Sequence, residues 1–349
     1  MEMELSKTAE QVLSNFGHML STAGSEKSTI EKFYNAIQPL VDEVTVDILG
    51  NCIAHKKGNG HKVMITAHAD EVGIMIHYVD DKGFLYFKPV GGVDPYILLG
   101  RPVIIKGRDG VVVGIVGRDA IHMQWDKQKE LEFEDLWIDI QANDKEDALR
   151  QIQIGDTGIV YSAQFTQNGC VSSNALDDKA GMTALYRIAE LLQNETINYD
   201  LYLVATVQEE IGLRGAKTAA FEIDPYYGFA IDVTHATDYP HVSREKFGDI
   251  KLGKGAVITT GPNVDKQLFN QLKTVADGYE IPYQIEGIPR ATGTDANAIQ
   301  VSRCGVKTGV LSIPCRYMHT PFEVVALSDI EAVSQVMKYW LCEPVSENY

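Results

Sequence analysis

No apolar run in these 349 residues approaches the ~18 residues that a membrane-spanning helix needs. The start, Met1-Glu-Met-Glu-Leu-Ser-Lys7, lacks the basic-then-apolar order of a secretory leader, so none is expected. Cysteine is sparse: Cys52, Cys170, Cys304, Cys315 and Cys342 are scattered, odd in number and without a CxxC pair. This speaks against a disulfide framework and a zinc knuckle, and for reduced thiols in the cytoplasm. Basic residues are outnumbered, with 31 Lys and Arg against 48 Asp and Glu and a net charge of -17. Nucleic acid and anionic membrane both need a basic footprint, so neither is an expected partner. The H-E-x-x-H helix and the G-x-S-x-G elbow are missing. Gly248-Asp-Ile-Lys-Leu-Gly253-Lys254-Gly255 has the spacing of a phosphate-binding loop, but Gly255 stands where Ser or Thr would hold magnesium. Internal repeats and low-complexity stretches are also lacking.

What remains is an ordinary globular composition, 45% hydrophobic and 23% charged, enough for one large domain or two smaller ones. Residues 5–41 read as two helices, the second near Ser25–Leu40 with Ser28 and Glu31 at capping-box spacing. Short strands are expected near Val44–Ile48 and Cys52–Lys56, and Val63–Ala67 reads as a strand buried on both faces. From Gly73 to Ala163 the texture changes to short β-rich pieces separated by turns such as Asp80-Asp-Lys-Gly83 and Arg108-Asp-Gly110, the pattern of a small β-barrel. Helix and strand signals then alternate: an amphipathic helix at Ala180–Leu192, a short one at Arg214–Phe221, and longer ones at Asp265–Gly278 and Ser328–Leu341. The expected organisation is a discontinuous α/β domain, residues 1–72 and 164–349, carrying an inserted β-barrel domain, residues 73–163.

The chemistry gathers where apolar runs end. Val63–Ala67 leads into His68-Ala-Asp70, Leu201–Val207 into Gln208-Glu209-Glu210, Tyr227–Ile231 into Asp232, and a fourth run into Tyr317-Met-His319; Asp177-Asp178 opens a helix. In an α/β sheet such ends converge on one ligand-binding crevice. Each part alone has a plain reading: a satisfied polar histidine, an Asp N-cap, a solvated acidic pair. Together they spell a dinuclear metal site. Asp70, two residues beyond His68, faces the same side and can orient the imidazole. One carboxylate of Asp177-Asp178 can bridge two ions. Burying both charges of Glu209-Glu210 calls for compensation, so metal takes one glutamate and leaves the other as a base. Asp232 and His319 are candidate terminal ligands; for His235, close to Asp232, a pocket-lining role is the lesser reading beside an unremarkable histidine.

Ala67-His68-Ala-Asp70-Glu71-Val-Gly73, Leu176-Asp177-Asp178-Lys-Ala-Gly181, Gln208-Glu209-Glu210-Ile-Gly-Leu-Arg-Gly-Ala216, Ile231-Asp232-Val-Thr, Gly293-Thr-Asp295-Ala and Arg316-Tyr-Met-His319-Thr-Pro321 resemble the TET-type dinuclear zinc aminopeptidases of clan MH. Their members include glutamyl, leucyl and deblocking aminopeptidases, and some are labelled endoglucanases. The resemblance implies a mixed-sheet α/β zinc-peptidase (phosphorylase/hydrolase-like) catalytic domain with the barrel as a dimerisation insert, in assemblies from dimer to dodecamer. It assigns His68 and Asp232 to one metal, Glu210 and His319 to the other, and Asp177 to both, with Asp178 following in a non-proline cis peptide. Glu209 becomes the general base and Asp70 the orienter of His68. The implied cofactors are two divalent ions, zinc or else cobalt or manganese, and the implied substrates are short peptides with a free N-terminus. Three rivals stand beside this reading. They are a metal-dependent carboxypeptidase or N-deacylase, a metal-free glycosidase using paired carboxylates, and a non-catalytic scaffold.

Overall fold

A computed structural model describes residues 2–17, 20–120, 122–123 and 130–343. Among them an 11-stranded mixed sheet forms the larger body. Its centre is four parallel strands in the spatial order Asp200–Thr206, Lys62–His68, Tyr227–His235, Lys307–Arg316. Lys62–His68 is buried beyond its first residue, as its unbroken apolar run requires of a strand covered on both faces. Helices Glu2–Phe16, Leu176–Leu191 and Leu327–Cys342 pack together on one face, and Arg214–Ile223 and Ala296–Gln300 pair on the other. No helix among the described residues is long and apolar enough to cross a membrane.

Parallel pairing brings the strands' C-terminal ends to one edge. Thr206 pairs with His68, so Glu209 and Glu210 follow beside Asp70. Ala230 pairs with Thr66, and Asp232 and His68 each lie two residues further on. Asp232 therefore sits inside Tyr227–His235, three residues before the strand ends, and does not terminate it.

The barrel closes through Gly73–Val79, Leu85–Val90, Trp137–Asp139, Gly110–Gly117, Pro102–Gly107 and Thr157–Val160. Ile74, Ile76, Leu85, Val103, Ile105 and Ile138 fill it. The chain re-enters the large sheet at Phe165–Gln167. A helix at Lys145–Gln151 within this region carries no apolar periodicity long enough to be read from sequence.

Three local expectations are corrected. The second helix starts at Lys27, so Ser28 lies in its first turn and makes no capping box; Glu26 precedes it. The strand expected at Val44–Ile48 is Glu43–Val46, stopped by Asp47, whose carboxylate accepts the amides of Leu49, Gly50 and Asn51 at 2.9, 2.8 and 2.9 Å. The helix read as amphipathic is buried almost throughout. Its polar stripe is paired internally: Lys179 with Glu71 at 3.2 Å, and Arg187 with Glu331 at 2.8 Å.

Candidate metal centre

The acidic and histidine side chains singled out from sequence meet over the parallel strand ends. Asp177 lies between the two histidines, its Oδ1 2.9 Å from His68 Nε2 and its Oδ2 3.3 Å from His319 Nε2. Asp232 Oδ1 is 3.9 Å from His68 Nε2, and Glu210 Oε1 is 3.3 Å from His319 Nε2. His68, Asp177 and Glu210, and likewise His68, Asp178 and Asp232, offer ligand atoms within 4.8 Å of one another. Asp178 is committed elsewhere, since its carboxylate accepts the amides of His68 at 3.1 Å and Gly181 at 2.9 Å. The Asp177–Asp178 peptide is cis.

The imidazoles are aimed alike. His68 Nδ1 faces the carbonyl of Asp70 at 3.1 Å, and His319 Nδ1 faces the carbonyl of Gly92 at 2.9 Å. A carbonyl only accepts, so each Nδ1 keeps its hydrogen and each Nε2 turns a lone pair toward carboxylates. That arrangement is stable with a cation or a proton between them, and backbone carbonyls behind Nδ1 are the usual support of metal-binding histidines.

The electrostatics ask for positive charge. Hydrogen bonds that His319 donates to the carboxylates of Asp177 and Glu210 hold it as a cation up to about 11. Burial opposes charge on His68, but hydrogen bonds to Asp177 and Asp70 outweigh it and raise its pKa well above the ordinary value. Burial would neutralise Asp177, yet the two histidines keep it ionised far below the usual range. Around them burial and then Asp177's charge push Asp232 up, and burial lifts Glu209 to about 10. So many buried carboxylates cannot all ionise without a counter-cation. The donor set of carboxylate oxygens and imidazole nitrogens fits zinc, cobalt or manganese.

Asp70 has a further contact that the sequence did not suggest. Its carboxylate accepts the amides of Glu209 at 2.9 Å and Glu210 at 3.0 Å, while Oδ1 stands 3.6 Å from His68 Nδ1. It thus fixes the backbone of both glutamates, and its carbonyl orients the imidazole. Glu323, which no motif flagged, accepts the amides of Asp177 at 3.0 Å and His319 at 2.7 Å. Gln208 and His319, flanking or within the centre, hold φ of 58° and 61°, left-handed values that persist only where the surroundings enforce them. His235 is exposed at its strand end. Gly253 and Gly255 of the rejected phosphate loop donate to Asp329 at 2.7 and 2.8 Å, so a carboxylate occupies the amides a phosphate would need.

A histidine- and carboxylate-lined cleft at the C-terminal ends of a parallel sheet is the site of a metal-dependent hydrolase. Residues 50–336 match the M42 glutamyl aminopeptidase family, and the chain belongs to it. It is therefore an aminopeptidase of a metal-dependent peptidase family. A lysyl aminopeptidase of Pyrococcus furiosus is 39% identical over 315 residues, covering 88% of this chain and 89% of that protein. An aminopeptidase of Desulfurococcus kamchatkensis superposes with a TM-score of 0.90 at 34% identity, covering 97% of this chain and 96% of that one. The TET1 peptidase of Pyrococcus horikoshii, which assembles into a tetrahedron or a large octahedral shell, superposes with a TM-score of 0.86 at 31% identity, covering 96% and 100%.

Proposed function

We propose that this aminopeptidase uses two divalent ions, zinc in the first instance, to remove N-terminal residues from short peptides. His68 and Asp232 would hold one ion, Glu210 and His319 the other, and Asp177 both. The supporting observation is Asp177 presenting one oxygen to each Nε2, at 2.9 and 3.3 Å. When bound, such a pair of cations polarises the scissile carbonyl and acidifies a water. The chain's own residues do the rest. Glu209 is 8% exposed, close to the cluster and uncommitted as a ligand in this reading. It takes the proton of the attacking water and delivers it to the amine nitrogen as the C–N bond breaks. Asp70, holding the Glu209 and Glu210 amides, keeps base and ligand in register. Ionised acids at the inner end attract the substrate's ammonium group, which favours exopeptidase action.

The barrel suits assembly. Val111, Val113 and Ile115, at alternate positions of Gly110–Gly117, are 61%, 61% and 49% exposed and form an apolar stripe on its outside. We assign this stripe to a dimer contact within a larger homo-oligomer. The unpaired thiols of the described cysteines support a cytoplasmic location. The test is metal analysis of the purified protein. Two ions per chain are expected, with hydrolysis of aminoacyl substrates abolished by exhaustive chelation and restored by zinc, cobalt or manganese. Full activity in metal-free protein refutes the assignment.

A further inference from the structure

The cleft leading away from the centre has no role so far. Its inner part is lined by Asp177, Glu210 and His319, with Val93, Ile97 and Leu98 of the barrel opposite. Ile97, Thr320 and Pro321 also line an adjoining outer cleft, whose lining includes Tyr96, Tyr317 and Arg101. One wall is thus barrel, and the other is the loop that follows Arg316. Arg101 is the one Lys or Arg among the described residues that lines either part. Among the described residues its backbone is hydrogen-bonded to Leu98 and Val116, while its guanidinium is exposed and makes no ion pair.

This arrangement is polarised. Of the described residues, carboxylates line the inner part alone, a guanidinium belongs to the outer part alone, and apolar side chains line both. A short peptide has the complementary order: ammonium, side chains, carboxylate. In a chain of net charge -17 a carboxylate is repelled from most of the surface. An unpaired arginine beside apolar walls, with a planar fork matched to two carboxylate oxygens, is where one would be held. We propose that Arg101 binds the C-terminal α-carboxylate of the substrate, so that the preferred substrates are peptides short enough to reach it with a free C-terminus. The proposal rests on the aminopeptidase reading above, which places the amino end at Asp177. An extended peptide advances about 3.3 Å per residue, so only one narrow range of lengths brings the carboxylate to Arg101. Longer peptides present a neutral amide there.

The test compares tripeptides and tetrapeptides with free and amidated C-termini on the wild-type enzyme, on Arg101→Ala and on Arg101→Lys. The wild type is expected to favour the free acid by about tenfold or more in kcat/KM, through KM, as a charge-assisted hydrogen bond warrants. Arg101→Ala should bring that ratio to about one, and Arg101→Lys should keep part of it. Hydrolysis of the amide by each variant shows that it is folded and metal-loaded. A wild-type ratio near one at both lengths overturns the proposal without any variant. So does a ratio that survives in Arg101→Ala, or an effect of that substitution confined to substrates with an acidic N-terminal residue. If no aminoacyl substrate is cleaved at all, the aminopeptidase reading fails instead.

Discussion

The large sheet and the inserted barrel solve the same packing problem with opposite chemistry. The sheet body buries His68, Asp70, Glu71, Asp177, Lys179, Arg187, Glu209, Asp232 and Asp295, among others. Among the described residues from 73 to 163, which include the barrel strands, the buried polar side chains are Thr157 and Ser162, and no charged side chain is buried. Burying charge without a partner costs several kcal/mol. The sheet body meets that cost with ion pairs such as Lys179–Glu71 and, in its cleft, with a cluster that calls for cations. The barrel avoids it and keeps its unusual feature, an apolar stripe, on the outside. Charge burial therefore marks where chemistry is done, and exposed apolar surface marks where another molecule is met.

The largest test of that contrast is Glu209→Gln. It should lower kcat by at least ~10² while the metal content stays near the wild-type value. Metal lost together with activity would make Glu209 a ligand and exchange the roles of the glutamate pair. Chelation should come next in size. Ions bound far above their dissociation constants stabilise a fold by roughly 3–4 kcal/mol. Hydrogen exchange should therefore accelerate most in Lys62–His68, Asp200–Thr206 and Tyr227–His235 and less in the barrel strands, which meet the centre through the Gly92 loop. Equal acceleration in the barrel would erase the distinction between the two regions. Val113→Asp should convert the assembly to smaller species by light scattering, with thermal stability altered by no more than a typical surface substitution, about 0.5 kcal/mol. An assembly of unchanged mass would show that the stripe is not a contact.

The smallest effect concerns Asp329. Burial is the chief cause that lifts its carboxyl to about 7 from 3.8. The native state then keeps a proton that the unfolded chain releases over that window, so stability falls as pH rises from about 4 to about 7 and levels off above. Asp329→Asn should flatten this slope in urea unfolding at a series of pH values. A slope identical to the wild type's would place the proton on another group.

Much of this was legible because strand-end chemistry is local. His68, Asp177, Glu209, Glu210, Asp232 and His319 each directly follow or open a strong element signal, and parallel pairing gathers such ends. The barrel was legible from its turns. What stayed hidden depends on distant pairing. Glu323 supports Asp177 and His319 from 146 and 4 residues away, with nothing around it to distinguish it from a solvated glutamate. Lys179 and Arg187 look like the wet face of a helix until Glu71 and Glu331 arrive to bury them. The capping-box reading failed because Ser28-Thr-Ile-Glu31 satisfies a local pattern while the chain enters the helix two residues earlier, with Glu26 in the cap position.

The hydrogen bond from His319 to Gly92 crosses from one region to the other. His68 takes its carbonyl from its own strand end and is 3% exposed at the side chain; His319 takes its carbonyl from the barrel and is 33% exposed. A β-carbon at Gly92 would lie 3.0 Å from His319 Nδ1, so the two loops are in close register. Seating of the barrel loop and alignment of His319 are consequently linked equilibria. Whatever steadies the barrel, a neighbouring subunit included, steadies the exposed histidine, and by thermodynamic reciprocity a cation held at His319 steadies the barrel by the same free energy.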